Sequence, residues 1–155
     1  MGRSGCGKST LAYILSGYVE PEGSTLTLDG GSVKGVDSGR MMVFQETLLW
    51  PWMTVEKNVT FGARAKGIDK KEAADKAAEL LDRFGLGDFC EKYPGQLSGG
   101  MMRRAELAQA PMNSPKVMIL DDPFRGLDVM TRELMQENYL QLFEDTQSYN
   151  RLHYG

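Results

Sequence analysis

Hydrophobic residues follow two different patterns along the chain. Two short runs, Met41 to Phe44 and Val117 to Leu120, are wholly apolar, which is typical of strands buried on both faces of a parallel sheet. The segment from Ser24 to Gly30 instead alternates polar and apolar residues and ends at a glycine. This alternation predicts a half-buried strand that closes on a turn.

Other segments carry apolar residues at helical spacing. Leu11 to Leu15 predict a first helix that ends at Gly17, a residue suited to the left-handed C-terminal position. Asp69 predicts the N-cap of an amphipathic helix that ends before Gly85. A further helix is expected from about Leu127.

Strands separated by helices predict an α/β layer architecture. We expect a parallel-sheet core formed by residues 1–46 and 112–145, with an inserted helical subdomain at about 53–110. Residues 146–155 have no apolar run and no caps, so they are expected to be an unstructured tail.

Composition excludes several classes of protein. The 155 residues carry a net charge of -3, so no basic surface is expected to bind nucleic acid. Two cysteines, Cys6 and Cys90, and a single histidine provide neither a disulfide framework nor a zinc site. No segment is apolar for the roughly 20 residues that a membrane-spanning helix needs.

The segment Gly2 to Ser9 fits the phosphate-binding pattern G-x-x-x-x-G-K-[ST]. Its glycines allow backbone N–H groups to turn toward phosphates, and the helix that follows directs its positive end at them. Lys8 would neutralise the phosphates and the Ser9 hydroxyl would bind Mg²⁺. The predicted ATP-binding residues here are Gly2, Ser4, Gly5, Cys6, Gly7, Lys8, Ser9 and Thr10.

Val117 to Asp121 is an apolar strand that ends in an acid, the form of a Walker B element whose carboxylate holds Mg²⁺. Taken alone, an Asp at a strand end is more often a turn or cap residue. The phosphate-binding pattern in the same chain favours the metal interpretation.

A family resemblance rests on the order of the motifs. The segment Leu97 to Met101 looks like the signature motif of ATP-binding cassette (ABC) proteins. Asp121-Asp122-Pro123 and Gly126-Leu127-Asp128 follow it in that family's order. The resemblance implies a P-loop NTPase fold with a RecA-like parallel sheet core and an inserted helical subdomain, here incomplete.

The resemblance also implies residue roles. Gln45, in Val43-Phe44-Gln45-Glu46, would reach the metal together with Ser9 and Asp121. Asp122 would position the attacking water, while Leu97, Ser98, Gly99 and Gly100 would grip the ATP bound to a second copy of the chain. The implied mechanism is ATP-driven closure of two subunits, reopened by hydrolysis.

The aromatic segment Leu48 to Trp52 is similar to importers of nitrate, sulfonates and taurine. An aromatic pair packed under a loop is the alternative for Trp50 and Trp52. As such an importer subunit, the chain would act as a homodimer bound to two transmembrane permease subunits and indirectly to an extracytoplasmic substrate-binding protein. It would lie at the cytoplasmic face of the plasma membrane.

Several positions depart from the family. Asp122 stands where the family has Glu, and the Asp side chain is shorter by one methylene, or about 1.5 Å. We expect Asp122→Glu to raise ATP turnover in a chain of full family length. Met1 directly precedes Gly2, and His153 is interpreted as a solvated tail residue, so the chain is expected to be truncated at both ends. Arg103 is interpreted as a surface-type change.

Two other functions stay open at this stage. A truncated remnant that binds nucleotide without hydrolysing it would keep the motifs but lack turnover. A cassette ATPase acting on DNA or ribosomes would carry long coiled coils or a second cassette, neither of which is present in this sequence.

Overall fold

The computed structural model describes residues 7–44, 48–145 and 152–154, with side chains described as far as residue 142. The helices and strands are, in chain order, α1 (Lys8–Ser16), β1 (Thr27–Leu28), β2 (Gly31–Ser32), β3 (Arg40–Val43), α2 (Val55–Ala65), α3 (Lys70–Arg83), α4 (Gly99–Met112), β4 (Val117–Asp121), α5 (Val129–Asp145) and β5 (Leu152–Tyr154). Short 3₁₀ turns at Gly87–Phe89 and Pro94–Gln96 connect α3 to α4.

Strands β3, β4 and β5 form a parallel sheet in that order. Val43 pairs with Leu120, so β3 and β4 end at the same edge of the sheet. The two apolar runs of the sequence are therefore strands of one parallel sheet, as predicted. The alternating segment forms only a small antiparallel pair, β1 with β2.

The prediction of an unstructured tail is wrong for Leu152–Tyr154. These residues form β5 alongside β4, with His153 opposite Leu120. The carbonyl and N–H groups along an open edge of β4 favour pairing with another strand even where no long apolar run marks it.

Helix α1 covers one face of this sheet. It ends at Gly17, whose φ of 84° is left-handed as predicted. Ala12 packs with Met42, Val117 and Ile119 in a small apolar cluster. This packing attaches the amino-terminal part of the chain to β3 and β4.

The chain between β3 and β4 is helical in its described part. Thr54 caps α2 by accepting from the N–H of Lys57, and Asp69 caps α3 as predicted. The larger core combines residues of these helices, such as Val59 and Leu81, with Met118 and Leu120 of β4. The helices and the sheet thus share a core, and the subdomain boundaries stay a prediction.

No helix within the described ranges is both long enough and apolar enough to span a membrane.

Candidate nucleotide-binding site

The amino terminus of α1 has the features of a phosphate site. Gly7 adopts a left-handed φ of 87°, and in the described part of the chain no side chain caps the helix. The first turn contains no acidic residue, and its N–H groups have no acceptor within the helix. The positive end of the helix dipole is therefore available to an anion.

The other end of α1 is attached to β3. Arg40, the first residue of β3, donates from its guanidinium to the carbonyl oxygen of Leu15 at 2.8 Å. The hydroxyl of Ser16 lies 3.5 Å from the sulfur of Met42. The last turn of α1 thus contacts β3.

Asp121 and Asp122 lie at the edge of the sheet where β3 and β4 end. Asp121 is the last residue of β4 and is half-buried, whereas Asp122 is exposed. Asp122 has a φ of 47°, in the left-handed region. Asp and Asn adopt this conformation more readily than longer residues do. The conformation therefore favours the shorter acid at position 122.

The predicted signature residues form the beginning of α4. Ser98 is its N-cap and accepts from the N–H of Met101 at 3.2 Å. Leu97 is buried, Ser98 and Gly99 are exposed, and Gly100 is half-buried. A Cβ at Gly100 would lie 3.6 Å from the side chain of Leu127. The signature residues therefore lie beside the turn that follows Asp122.

Arg103 joins this turn to α4, and the interpretation of Arg103 as a surface residue is wrong. It is only 3% exposed and donates at 2.6 Å to the carbonyl oxygens of both Pro123 and Phe44. Sequence reasoning missed this role because Arg is usually exposed. The helical spacing from Arg103 to Glu106 was the available clue to a buried ion pair.

Asp128 begins α5 on the far side of the same turn. Its carboxylate accepts from the hydroxyl of Thr131 at 2.6 Å and from the N–H of Thr131 at 3.0 Å. These bonds hold the pKa of Asp128 below its ordinary value. Asp128 acts here as a helix cap.

The aromatic segment is partly exposed. The rings of Trp50 and Trp52 lie 5.1 Å apart, and Phe61 of α2 lies 6.2 Å from Trp50. Trp52 is 65% exposed. Asn58 holds the segment by accepting from the N–H of Trp50 at 2.7 Å and donating to its carbonyl oxygen at 3.1 Å.

The predicted residues that the structure describes fall on three segments. Lys8, Ser9 and Thr10 lie in the first turn of α1, Asp121 and Asp122 at the end of β4, and Leu97 to Gly100 at the start of α4. Gly2, Ser4, Gly5, Cys6 and Gln45 lie outside the described residues. The assignment of roles to individual residues stays a prediction.

The chain is similar in sequence to ABC transporter proteins. The family model described as "ABC transporter" matches residues 1–125. An uncharacterized ABC transporter ATP-binding protein of Methanocaldococcus jannaschii, MJ0412, is 44% identical over 144 residues, which are 93% of this chain and 54% of that protein.

Two relatives are import proteins by name. The nitrate import ATP-binding protein NrtD of Synechocystis is 43% identical over 95% of this chain and 55% of its own length. The taurine import ATP-binding protein TauB of Roseobacter denitrificans is 44% identical over 94% of this chain and 54% of its own length. The chain thus spans about half the length of the curated relatives that it matches.

A solved structure has the same fold. It is the dimeric, post-hydrolysis state of the ATP-binding cassette MJ0796 bound to ADP and Pi, with a TM-score of 0.84 and 28% identity. The match covers 96% of this chain and 70% of that one. The P-loop NTPase fold predicted from the sequence is thereby confirmed, and with the family model matching residues 1–125, the chain belongs to the ABC transporter family.

Proposed function

We propose that this chain binds Mg-ATP and hydrolyses it as part of the ATP-binding subunit of an importer. The observation that carries the proposal is the start of α1, where left-handed Gly7 precedes Lys8 and Ser9 at a helix end that no side chain of the described residues caps. An uncapped helix end supplies N–H donors to phosphate, and a lysine there neutralises its charge.

Two of the predicted site residues suit Mg²⁺. The hydroxyl of Ser9 and the carboxylate of Asp121 are hard oxygen donors, the kind that this ion prefers. Among the described residues, no group of three or more His, Cys, Asp or Glu side chains could hold a metal. Ser9 and Asp121 would share the ion with phosphate oxygens, whose negative charge Mg²⁺ offsets when bound.

Asp122 is the proposed water-positioning residue. Its side chain is exposed at the strand edge, while its main-chain oxygen accepts from the N–H of Arg125 at 3.2 Å. The fixed main chain limits where the carboxylate can reach, because Asp has only one methylene. A carboxylate held short of the water would slow turnover, and this favours nucleotide binding with little hydrolysis as the second candidate function.

A second copy of the chain would complete each site. Ser98 and Gly99 are exposed at the amino terminus of α4, and a Cβ at Gly99 would meet no neighbouring atom of the described residues within 4 Å. This open helix end can accept a phosphate brought by another molecule. The dimeric state of MJ0796, the solved relative, supports this arrangement.

The proposed substrate class is small anions such as nitrate, sulfonates or taurine, imported through two permease subunits and supplied by a substrate-binding protein. The names of the nitrate and taurine import relatives support it. The exposed cluster of Trp50, Trp52 and Phe61 is the proposed contact surface for a permease, because an apolar partner would remove these rings from water. This arrangement would hold the chain at the cytoplasmic face of the membrane.

Phosphate release from Mg-ATP by the purified chain tests the proposed activity. Lys8→Ala is expected to abolish turnover, whereas Lys71→Ala, a change of the same kind at an exposed position on α3, is expected to leave it unchanged. Binding of ATP without phosphate release would favour the second candidate function. Equal turnover in the Lys8→Ala chain would refute the proposed site.

A further inference from the structure

Arg103 is a buried cation that contacts several main-chain groups at the proposed site. Its Nε donates to the carbonyl oxygen of Pro123 at 2.6 Å, and a terminal nitrogen donates to that of Phe44 at 2.6 Å. The other terminal nitrogen lies 3.4 Å from the carbonyl oxygen of Asp122. A rigid, planar guanidinium can make such bonds in several directions at once, which an ammonium cannot.

Glu106 completes this arrangement one helical turn later. Its carboxylate accepts from Arg103 at 2.6 Å and lies 3.4 Å from the N–H of Leu48. The pair therefore contacts Phe44 and Leu48, the residues on either side of positions 45–47. Glu106 is 6% exposed.

Burying both partners of an ion pair carries a desolvation cost. Burial raises the pKa of the Glu106 carboxyl above its ordinary value, although Arg103 acts in the opposite direction. Apolar replacements of buried ion pairs are often neutral or stabilising, so stability alone does not account for this pair.

Both ends of the connection are at proposed functional residues. Ser98 and Gly99 begin α4, and Arg103 follows on the same helix about 7.5 Å from Ser98 along its axis. At the other end, Arg103 contacts the main chain of Asp122 and Pro123 directly. A buried side chain thus joins the helix to the turn.

We propose that Arg103 is a positioning residue that makes the signature end of α4 and the Asp122 turn move as one unit. The proposal rests on the proposed function, in which Ser98 contacts the nucleotide of a second copy and Asp122 positions water at the chain's own site. Arg103 would then transmit engagement of one ATP site to the other without contacting nucleotide itself.

The test replaces the pair by apolar residues of similar length in Arg103→Met/Glu106→Met. Arg104→Met is the matched control, because Arg104 is the next residue on α4 and donates instead to the carbonyl oxygens of Phe84 and Gly85. Hydrogen exchange is followed by NMR at the amides of Leu48 and Arg125, which report the two anchored segments.

We expect the double variant to melt within a few degrees of the wild type, yet to exchange both amides at least about 10-fold faster. Its kcat should fall about 100-fold with KM changed less than about threefold, since a displacement near 1 Å can cost that much. Arg103→Lys should recover part of kcat, because it restores the charge without the planar fork. Arg104→Met should match the wild type in exchange and kcat.

Unchanged exchange at Leu48 and Arg125 in the double variant would overturn the proposal. Faster exchange with an unchanged kcat would also overturn it, because the pair would then be structural only. If the wild-type chain itself shows no turnover, the proposed hydrolysis fails, and exchange alone decides whether Arg103 joins α4 to the Asp122 turn.

Discussion

Gly62 lies where α2 crosses the end of α4, and the available space sets the effect of adding a single methyl group there. A Cβ on Gly62 would lie 2.2 Å from the side-chain oxygen of Asn113 and 2.9 Å from its nitrogen. That nitrogen donates to the carbonyl oxygen of Gln109 at 2.8 Å. Gly62→Ala must therefore displace the amide of Asn113 and weaken this hydrogen bond.

Helix propensity and crowding have opposite effects on the free energy of unfolding of Gly62→Ala. Alanine gains about 1 kcal/mol over glycine in a helix interior. Overpacking costs about 1–3 kcal/mol, and a lost hydrogen bond costs about 1 kcal/mol more. The free energy of unfolding of Gly62→Ala should therefore be lower by about 1–3 kcal/mol, with a fall in Tm of about 2–4 °C per kcal/mol.

Urea unfolding followed by circular dichroism measures this difference. Asn113→Ala in the Gly62→Ala background should recover most of the loss, because it removes the atoms that the new methyl group meets. Gly99→Ala is the control, since a Cβ added at Gly99 would have no neighbouring atom within 4 Å in the part of the chain that the structure describes. A Gly62→Ala chain as stable as the wild type, or more stable, would refute the packing argument.

Three further predictions concern catalysis, capping and pH. Asp122→Glu should raise ATP turnover by up to about 100-fold, because it extends the carboxylate by about 1.5 Å. An unchanged or lower rate of phosphate release would count against Asp122 as the water-positioning residue. Thr54→Ala should lower the free energy of unfolding by about 1 kcal/mol through loss of the α2 cap, while Thr54→Ser should retain the cap. An equal loss of unfolding free energy in both variants, measured by urea unfolding, would contradict the capping role of the Thr54 hydroxyl. Backbone N–H bonds at Asp69 and the Thr131 hydroxyl at Asp128 hold the pKa of each carboxyl below 3.8 in the fold. Both carboxylates therefore stabilise the chain above about pH 4 and lose that effect as pH falls through the folded pKa. Tm should fall below about pH 4 in the wild type and less steeply in Asp69→Asn, and identical Tm profiles would exclude this role for Asp69.

Motifs whose residues act locally could be predicted from the sequence. The apolar runs ending at Phe44 and Leu120 became paired strands, and Asp69 became a helix cap, because burial and capping depend on neighbours in the chain. Gly17 adopted the predicted left-handed conformation for the same reason. The family motifs added the order of these elements.

Features that depend on distant residues could not be predicted. Arg103 is buried because the carbonyl groups of Phe44 and Pro123 meet it, and neither is near it in sequence. β5 depends on the edge of β4 rather than on its own apolar content. The left-handed φ of Asp122 is likewise set by the turn that Arg103 and Arg125 hold.

Calorimetric titration of the 155-residue chain with Mg-ATP tests the central claim most directly. We predict saturable binding that Lys8→Ala abolishes or weakens by at least about 10-fold, since the lysine contributes to phosphate binding at the start of α1, and that Lys71→Ala leaves intact. The assignment of the start of α1 as the nucleotide site would be contradicted if a wild-type chain that unfolds cooperatively bound no Mg-ATP. Equal affinity in the wild type and Lys8→Ala would contradict it as well.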